Sequence, residues 1–116
     1  MKSDLKVRTK RFALQIIKLY SSLPKSTVAQ VIGKQMLRSG TSVGAHYHEA
    51  NRGRSGAEFI SKLGGALQEL DETIYWLDLL AESGVVTAHE LVSLRNEADE
   101  LIAIFTVCVK NVKSRR

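Results

Sequence analysis

The sequence predicts an all-α protein, specifically an antiparallel up-down-up-down four-helix bundle. Apolar residues recur at steps of three, four and seven along four segments, the spacing of one face of an α-helix. Three of these segments begin at a Ser or Thr suited to helix capping. The connections are only a few residues long, which places consecutive helices side by side and antiparallel. The length of 116 residues predicts one domain spanning residues 1–116.

The first helix is predicted from about Asp4 to Ser22. Asp4 is expected as its N-cap, because a carboxylate there accepts hydrogen bonds from free backbone N–H groups and complements the helix dipole. Pro24 ends the segment, since proline lacks an N–H and restricts the residue before it. The core face is predicted to comprise Leu5, Phe12, Ile16, Leu19 and Leu23.

The second helix is predicted to begin near Ser26 or Thr27 and to end near Arg52. It contains Gly33, Gly40 and Gly44, and each costs about 1 kcal/mol relative to Ala inside a helix. Three such residues indicate either close approach of a neighbouring backbone or a kink. A strand or loop over residues 38–47 is the alternative interpretation. The predicted core face comprises Val28, Ile32, Met36, Val43, Tyr47 and Ala50.

The last two helices each have a Ser/Thr-x-x-Glu capping box at their start, Ser55 with Glu58 and Thr87 with Glu90. The third helix is predicted to run to Ser83, with Gly84 as the left-handed residue that follows it. The predicted core faces comprise Phe59, Leu63, Ala66, Leu70, Ile74 and Leu77, with Trp76 and Leu80 beside them, and then Leu91, Leu94, Ala98, Leu101, Phe105, Cys108 and Val112.

Charge is distributed unevenly along the chain. Residues 1–57 contain 11 Lys and Arg but two carboxylates, whereas residues 58–116 contain 6 Lys and Arg and 10 carboxylates. The basic half can attract an acidic partner such as RNA or DNA, or it can pair with the acidic half within or between subunits. The candidate nucleic-acid-binding residues are Lys6, Arg8, Lys10, Arg11, Lys18, Lys110, Lys113, Arg115 and Arg116.

These candidates come from the first and last helices, whose outer termini meet at one end of an up-down-up-down bundle. Clustered Lys and Arg bind phosphates without reading sequence. Tyr20, Tyr47, Tyr75 and Trp76 fall on or near core faces, so no stacking platform for specific base recognition is predicted.

Polar residues on the second and third helices are predicted to form an internal network of Arg38, Ser42, His46, Glu49, Glu69 and Thr73. A di-metal site is a weaker alternative, because the Glu-x-x-His motif that such bundles repeat is absent. No phosphate loop or nucleophilic triad is present, and Cys108 lies on a core stripe. The expectation is therefore a protein without catalytic residues, metal or cofactor.

The predicted location is the cytoplasm. The basic N-terminal residues are not followed by an apolar run, so a secretory signal is not predicted. No stretch approaches the roughly 20 apolar residues of a membrane span, so no membrane association is predicted.

Two segments carry a family resemblance: Arg-Ser-x-x-Ser-Val-x-Ala over residues 38–45 and Glu-x-x-x-Thr-x-Tyr-Trp-Leu over residues 69–77. They resemble the bacterial 23S ribosomal RNA intervening-sequence proteins, also called the four-helix-bundle protein family. His46 departs from the Asn that this family often has there. The family is similar to the accessory protein of diversity-generating retroelements, and this likeness implies a ring-like homopentamer.

Some family members are encoded within insertions in large-subunit ribosomal RNA genes, and no catalytic activity is established for the family. The leading hypothesis is therefore a non-enzymatic oligomer that binds nucleic acid, RNA foremost, with low specificity. The alternative is an adaptor that assembles or recruits a protein partner without binding nucleic acid. A monomer with a polar internal network is the alternative to the oligomer.

Overall fold

Four antiparallel helices account for most of the chain. The computed structural model describes residues 2–115, and its described side chains begin at Asp4. The helices are α1 (Lys2–Ser22), α2 (Thr27–Asn51), α3 (Gly56–Glu82) and α4 (Ala88–Ser114), packed into a bundle about 49 Å long and 20 Å across. The predicted four-helix bundle is confirmed, and residues 38–47 are helical rather than strand or loop. Within residues 2–115, no helix is both long and apolar enough to cross a membrane.

One hydrophobic core runs along the bundle axis, and most predicted core positions of α1, α3 and α4 lie in it. Phe12, Ile16, Leu70, Leu101 and Phe105 are fully buried. The ring of Tyr47 from α2 stacks on that of Phe105, with the centroids 5.7 Å apart. All four helices therefore contribute to one continuous core.

The predicted inward face of α2 is wrong at its first turn. Val28 is 54% exposed, whereas its neighbour Ala29 is fully buried. The buried stripe continues through Gly33, Met36 and Gly40, so α2 turns small residues toward the interior at this end. Val28 lies about 100° around the helix from this stripe and therefore faces solvent.

Glycines allow this close approach. A Cβ on Gly40 would lie 2.7 Å from Cγ1 of Ile16, and one on Gly33 would lie 2.6 Å from Cδ1 of Leu23. A Cβ on Gly44 would lie 3.3 Å from Oγ1 of Thr9, a looser fit. Because α2 remains helical from Thr27 to Asn51, its glycines provide space for α1.

The helix starts differ in part from prediction. Helix α1 begins at Lys2, so Asp4 lies within the first turn and is not the N-cap, although its carboxylate still faces the positive end of the dipole. Ser26 caps α2. Thr87 and Glu90 form the complete capping box. Ser55 accepts from the N–H of Glu58, whereas the Glu58 carboxylate accepts from the N–H of Arg54, so the second half of that box is not formed.

Helix α3 ends at the predicted glycine. Gly84 has a φ of +79°, in the left-handed region that favours glycine. Its N–H donates to the carbonyl of Ala81, and the N–H of Val85 donates to the carbonyl of Leu80. This is a Schellman motif, which satisfies carbonyls that the helix end would otherwise leave free.

Two glycines allow a matched stability test. Gly40→Ala is expected to destabilise the fold by about 1–3 kcal/mol, because its methyl group would overlap the buried Ile16. Gly64→Ala meets nothing within 4 Å and is expected to stabilise α3 by about 0.5–1 kcal/mol through lower backbone entropy in the unfolded chain. Urea unfolding of both variants checks this. Equal stabilisation by the two would contradict the tight contact between α1 and α2.

Candidate nucleic-acid interface

One end of the bundle gathers the start of α1, the turn from α2 to α3, and the end of α4. Lys6 of α1 and Asn51 of α2 line the same cavity. Asp4 lies beside Ile104 of α4 in another. At the start of α3, a Cβ on Gly56 would lie 3.3 Å from Cγ1 of Val112. The predicted meeting of the outer termini is therefore confirmed.

This end carries a group of exposed cations, which we call the basic end. Asp4, Glu49 and Glu58 are the carboxylates in these segments, and Glu49 lies within 4 Å of Lys62 and His46. The basic end comprises Lys6, Lys10, Arg11, Arg52, Arg54, Lys110, Lys113 and Arg115. None of these eight residues forms an ion pair with a described residue. Arg11 lines a groove with Glu97 and Glu100, but both carboxylates bind Arg8.

Sequence reasoning missed Arg52 and Arg54. They lie in the turn between α2 and α3, and both are exposed. The predicted topology places this turn beside the start of the first helix, so the position of both arginines could be inferred from the sequence. Lys and Arg are more numerous on the first and last helices, which makes the turn less conspicuous.

Arg8 was predicted to bind nucleic acid, but the structure engages it in ion pairs. Its Nε and Nη2 donate to the two carboxylate oxygens of Glu97 at 2.9 and 2.6 Å, and Nη2 also donates to Glu100 at 3.0 Å. The hydrogen bonds to Glu97 are the main cause that raises the pKa of Arg8 further above its ordinary value. Its charge is thus already compensated, and it joins α1 to α4.

Two other candidates lie outside the basic end. Lys18 is twelve residues beyond Lys6 on α1, which separates them by about 18 Å along the axis at 1.5 Å per residue. It lines a groove between α1 and α4 with Glu90. Arg116 lies outside the described residues. The remaining candidates on α1 and α4 are exposed at or near the basic end.

The predicted polar network is a surface cluster between α2 and α3. Nη1 of Arg38 donates to Glu69 at 3.3 Å, and Nη2 donates to Glu72 at 2.9 Å. Nε2 of His46 lies 3.5 Å from Glu69. Arg38 and Glu49 are about half exposed, whereas the side chain of Glu69 is only 12% exposed, so this network is buried only in part.

His46 occupies a groove that a glycine provides. A Cβ on Gly65 of α3 would lie 2.8 Å from Nδ1 of His46, so the ring lies directly on the α3 backbone. Nδ1 is buried without a hydrogen bond and lies 3.7 Å from Oε1 of Glu49. The imidazole therefore packs between the two helices while contacting both neighbouring carboxylates.

The hydroxyl side chains of the predicted network bond elsewhere. Ser42 donates to the carbonyl of Arg38 in its own helix. Thr73 is fully buried, donates to the carbonyl of Glu69, and lies 2.8 Å from the hydroxyl of Ser39. Sequence reasoning had not singled out Ser39, whose small side chain follows the glycine stripe into the core. Its pairing with Thr73 satisfies two buried hydroxyls at the contact between α2 and α3.

Residues 2–115 contain no group of three or more His, Cys, Asp or Glu side chains arranged to hold a metal ion. Cys108 has a free thiol and is half-buried against the core on α4.

Comparison with protein families gives a match over residues 2–106, to the model described as 23S rRNA-intervening sequence protein. The chain belongs to this family. A crystal structure of a protein of unknown function from the S23 ribosomal protein family of Bacteroides thetaiotaomicron superposes with a TM-score of 0.89. The two sequences are 39% identical, and the match covers 95% of this chain and 99% of the other. No curated protein matches the chain significantly.

The ion pairs that join the helices differ in burial. The side chains of Arg8 and Glu97 are 27% and 24% exposed, whereas those of Arg95 and Asp78 are 38% and 46% exposed. Arg8 also makes two hydrogen bonds to its partner, whereas Arg95 makes one. A two-point contact in the less exposed site is the stronger of the two.

Double-mutant cycles test this ranking. For Arg8→Met and Glu97→Gln we expect a coupling energy of about 1–2 kcal/mol in the free energy of unfolding. For Arg95→Met and Asp78→Asn we expect about 0.2–1 kcal/mol. Urea unfolding at moderate salt measures both cycles. If the coupling energy between Arg8 and Glu97 is no larger than that between Arg95 and Asp78, the Arg8 contact stabilises the bundle no more than the more exposed ion pair does, and the ranking is wrong.

Proposed function

We propose that this protein is a non-enzymatic, cytoplasmic oligomer that binds nucleic acid, RNA foremost, with low sequence preference. The observation that carries the proposal is the basic end, where three separate segments bring exposed Lys and Arg together without ion pairs in the described chain. Polyanions bind such clusters through phosphate neutralisation and release of counterions.

Five carboxylates of α3 and α4 are engaged by arginines outside the basic end. Glu97 and Glu100 pair with Arg8, Glu69 and Glu72 pair with Arg38, and Asp78 pairs with Arg95. These contacts hold negative charge on the sides of the bundle. The positive charge at the basic end therefore remains available to an external polyanion.

The surroundings of the basic end favour low specificity. The aromatic residues near the basic end are buried or half-buried in the core, namely Phe12, Tyr47, Phe59 and Phe105. An exposed aromatic platform is the usual means of stacking single-stranded bases. Flexible Lys and Arg side chains instead contact phosphates, which are the same in every sequence.

Salt-dependent binding tests the proposal with matched variants. Lys6→Gln/Lys10→Gln and Lys110→Gln/Lys113→Gln each remove two charges from the basic end, and Lys25→Gln/Lys34→Gln removes two from the rest of the surface. We expect each basic-end pair to reduce the slope of log K against log salt by about 1.4 for single-stranded RNA. The control pair should leave the slope unchanged.

Fluorescence anisotropy with labelled RNA, on protein freed of co-purified nucleic acid, measures these slopes. Equal effects of all three pairs would contradict a localised site and indicate a response to net charge alone. Lack of binding by the unmodified protein at low salt would refute the nucleic-acid proposal.

The oligomeric part of the proposal is supported by apolar side chains that face solvent in the single chain. Val28 and Val31 are exposed on α2 and lie outside its core-facing side. Leu14 is exposed on α1 and Tyr75 on α3. A neighbouring subunit that covered such residues would remove apolar area from water. The resemblance described above implies five subunits in a ring.

The mass in solution checks subunit number. A homopentamer of the 12.9 kDa chain is expected at about 65 kDa by light scattering coupled to size exclusion. Val28→Glu/Val31→Glu should lower the mass, because charges would replace apolar contact. A mass near that of one chain at micromolar concentration would contradict the oligomer.

An adaptor that recruits a protein partner is the second candidate. The observation that favours it is the outer surface of α3, where exposed Tyr75 lies on a helix with exposed carboxylates such as Asp71 and Glu82. A basic partner protein would complement that surface. Recovery of one stoichiometric partner after nuclease treatment, lost in Tyr75→Ala, would favour the adaptor.

A further inference from the structure

A cavity of about 310 Å³ lies between α1 and α2, next to the basic end. Ala13 of α1 and Gly44 and Ala45 of α2 contribute small side chains or none to its lining. The helices are in tight contact at Gly40, where a Cβ would lie 2.7 Å from Ile16, and in looser contact at Gly44. The small residues therefore leave an open groove where the two helices separate.

Two lysines and one histidine, all with side-chain N–H donors, line this groove. Lys6 and Lys10 are four residues apart and thus lie on the same side of α1. His48 lines the cavity from α2. In the described part of the chain, none of the three forms an ion pair. A phosphate group placed between the helices would meet donors from both sides.

We propose that this α1–α2 cavity holds one nucleotide of a single-stranded nucleic acid. Lys6, Lys10 and His48 would contact its phosphate, and the sugar and base would lie against the small residues of the groove. This inference rests on the proposed function and identifies where the basic end takes its ligand.

The size of the cavity sets the form of the ligand. Its 310 Å³ lies at the lower limit of the roughly 300–1,000 Å³ range of small-molecule sites. That space suits one nucleotide. Because a duplex keeps its bases paired and stacked, it cannot place a base in the groove without unpairing it. The cavity therefore favours single strands, whereas the surrounding cations accept either form.

Filling the cavity without changing charge tests the inference. Ala45 is exposed on α2 and lines the groove, so Ala45→Leu should fold while blocking it. Ala103→Leu makes the same change at an exposed position on α4, away from the cavity. Circular dichroism and thermal unfolding verify that both variants fold.

The binding probes are a fluorescein-labelled ten-nucleotide oligouridylate and a 20-base-pair RNA duplex, measured by anisotropy. Ala45→Leu should weaken binding of the single strand about tenfold, which corresponds to about 1.4 kcal/mol of lost contact. Ala103→Leu should bind as the unmodified protein does, and duplex binding should be unaffected by either change. Ala13→Leu, which fills the cavity from α1, should reproduce the effect of Ala45→Leu.

If folded Ala45→Leu binds the single strand as tightly as the unmodified protein does, the cavity is not the nucleotide site. That result would leave the proposed role of the basic end standing. Lack of binding by the unmodified protein would overturn both proposals. Photocrosslinking of unmodified protein to oligonucleotide containing 4-thiouridine supplies a test that needs no variant. Crosslinks should map to residues 6–13 and 41–51, and crosslinks confined to other segments would overturn the cavity.

Discussion

The close contact between α1 and α2 is the constraint on which the rest of the bundle depends. Gly33 and Gly40 leave no room for a side chain between the helices, because Leu23 and Ile16 occupy that space. This contact fixes the rotation of α2 about its axis. Val28 is consequently directed to solvent, whereas Arg38 and His46 are brought against α3. A single packing requirement thus determines both the core and the polar surface.

The rotation of the helices also decides which charges are neutralised. Arg8 and Lys6 look equivalent in the sequence, yet only Arg8 faces α4, where Glu97 and Glu100 receive it. Arg38 similarly meets two carboxylates of α3. Arg8 and Arg38 therefore join helices, whereas the eight residues of the basic end form no ion pair with a described residue. The charge asymmetry in the sequence serves both internal pairing and a localised positive surface.

The fold was predictable from the sequence because helix periodicity and capping are local properties. Ser26, Gly84 and the pair of Thr87 with Glu90 act as their residue types indicate. The inward position of Ala29 was not predictable, since hydrophobicity favours Val28, and the rotation that places Gly33 and Gly40 against neighbouring side chains depends on tertiary packing. The interface was partly predictable: topology brought the termini together, but the pairing of Arg8 depends on a partner 89 residues away.

Oligomer formation would change what the basic end can do. In a closed ring every subunit has the same orientation relative to the symmetry axis. If the long axis of each bundle is not perpendicular to the symmetry axis, all the basic ends lie on the same face of the ring. A flexible single strand that binds one end then meets the next at high effective concentration, so modest contacts at each subunit combine into a much higher overall affinity. Low specificity at each site is compatible with firm binding of a long RNA, because affinity then comes from repetition rather than from base recognition.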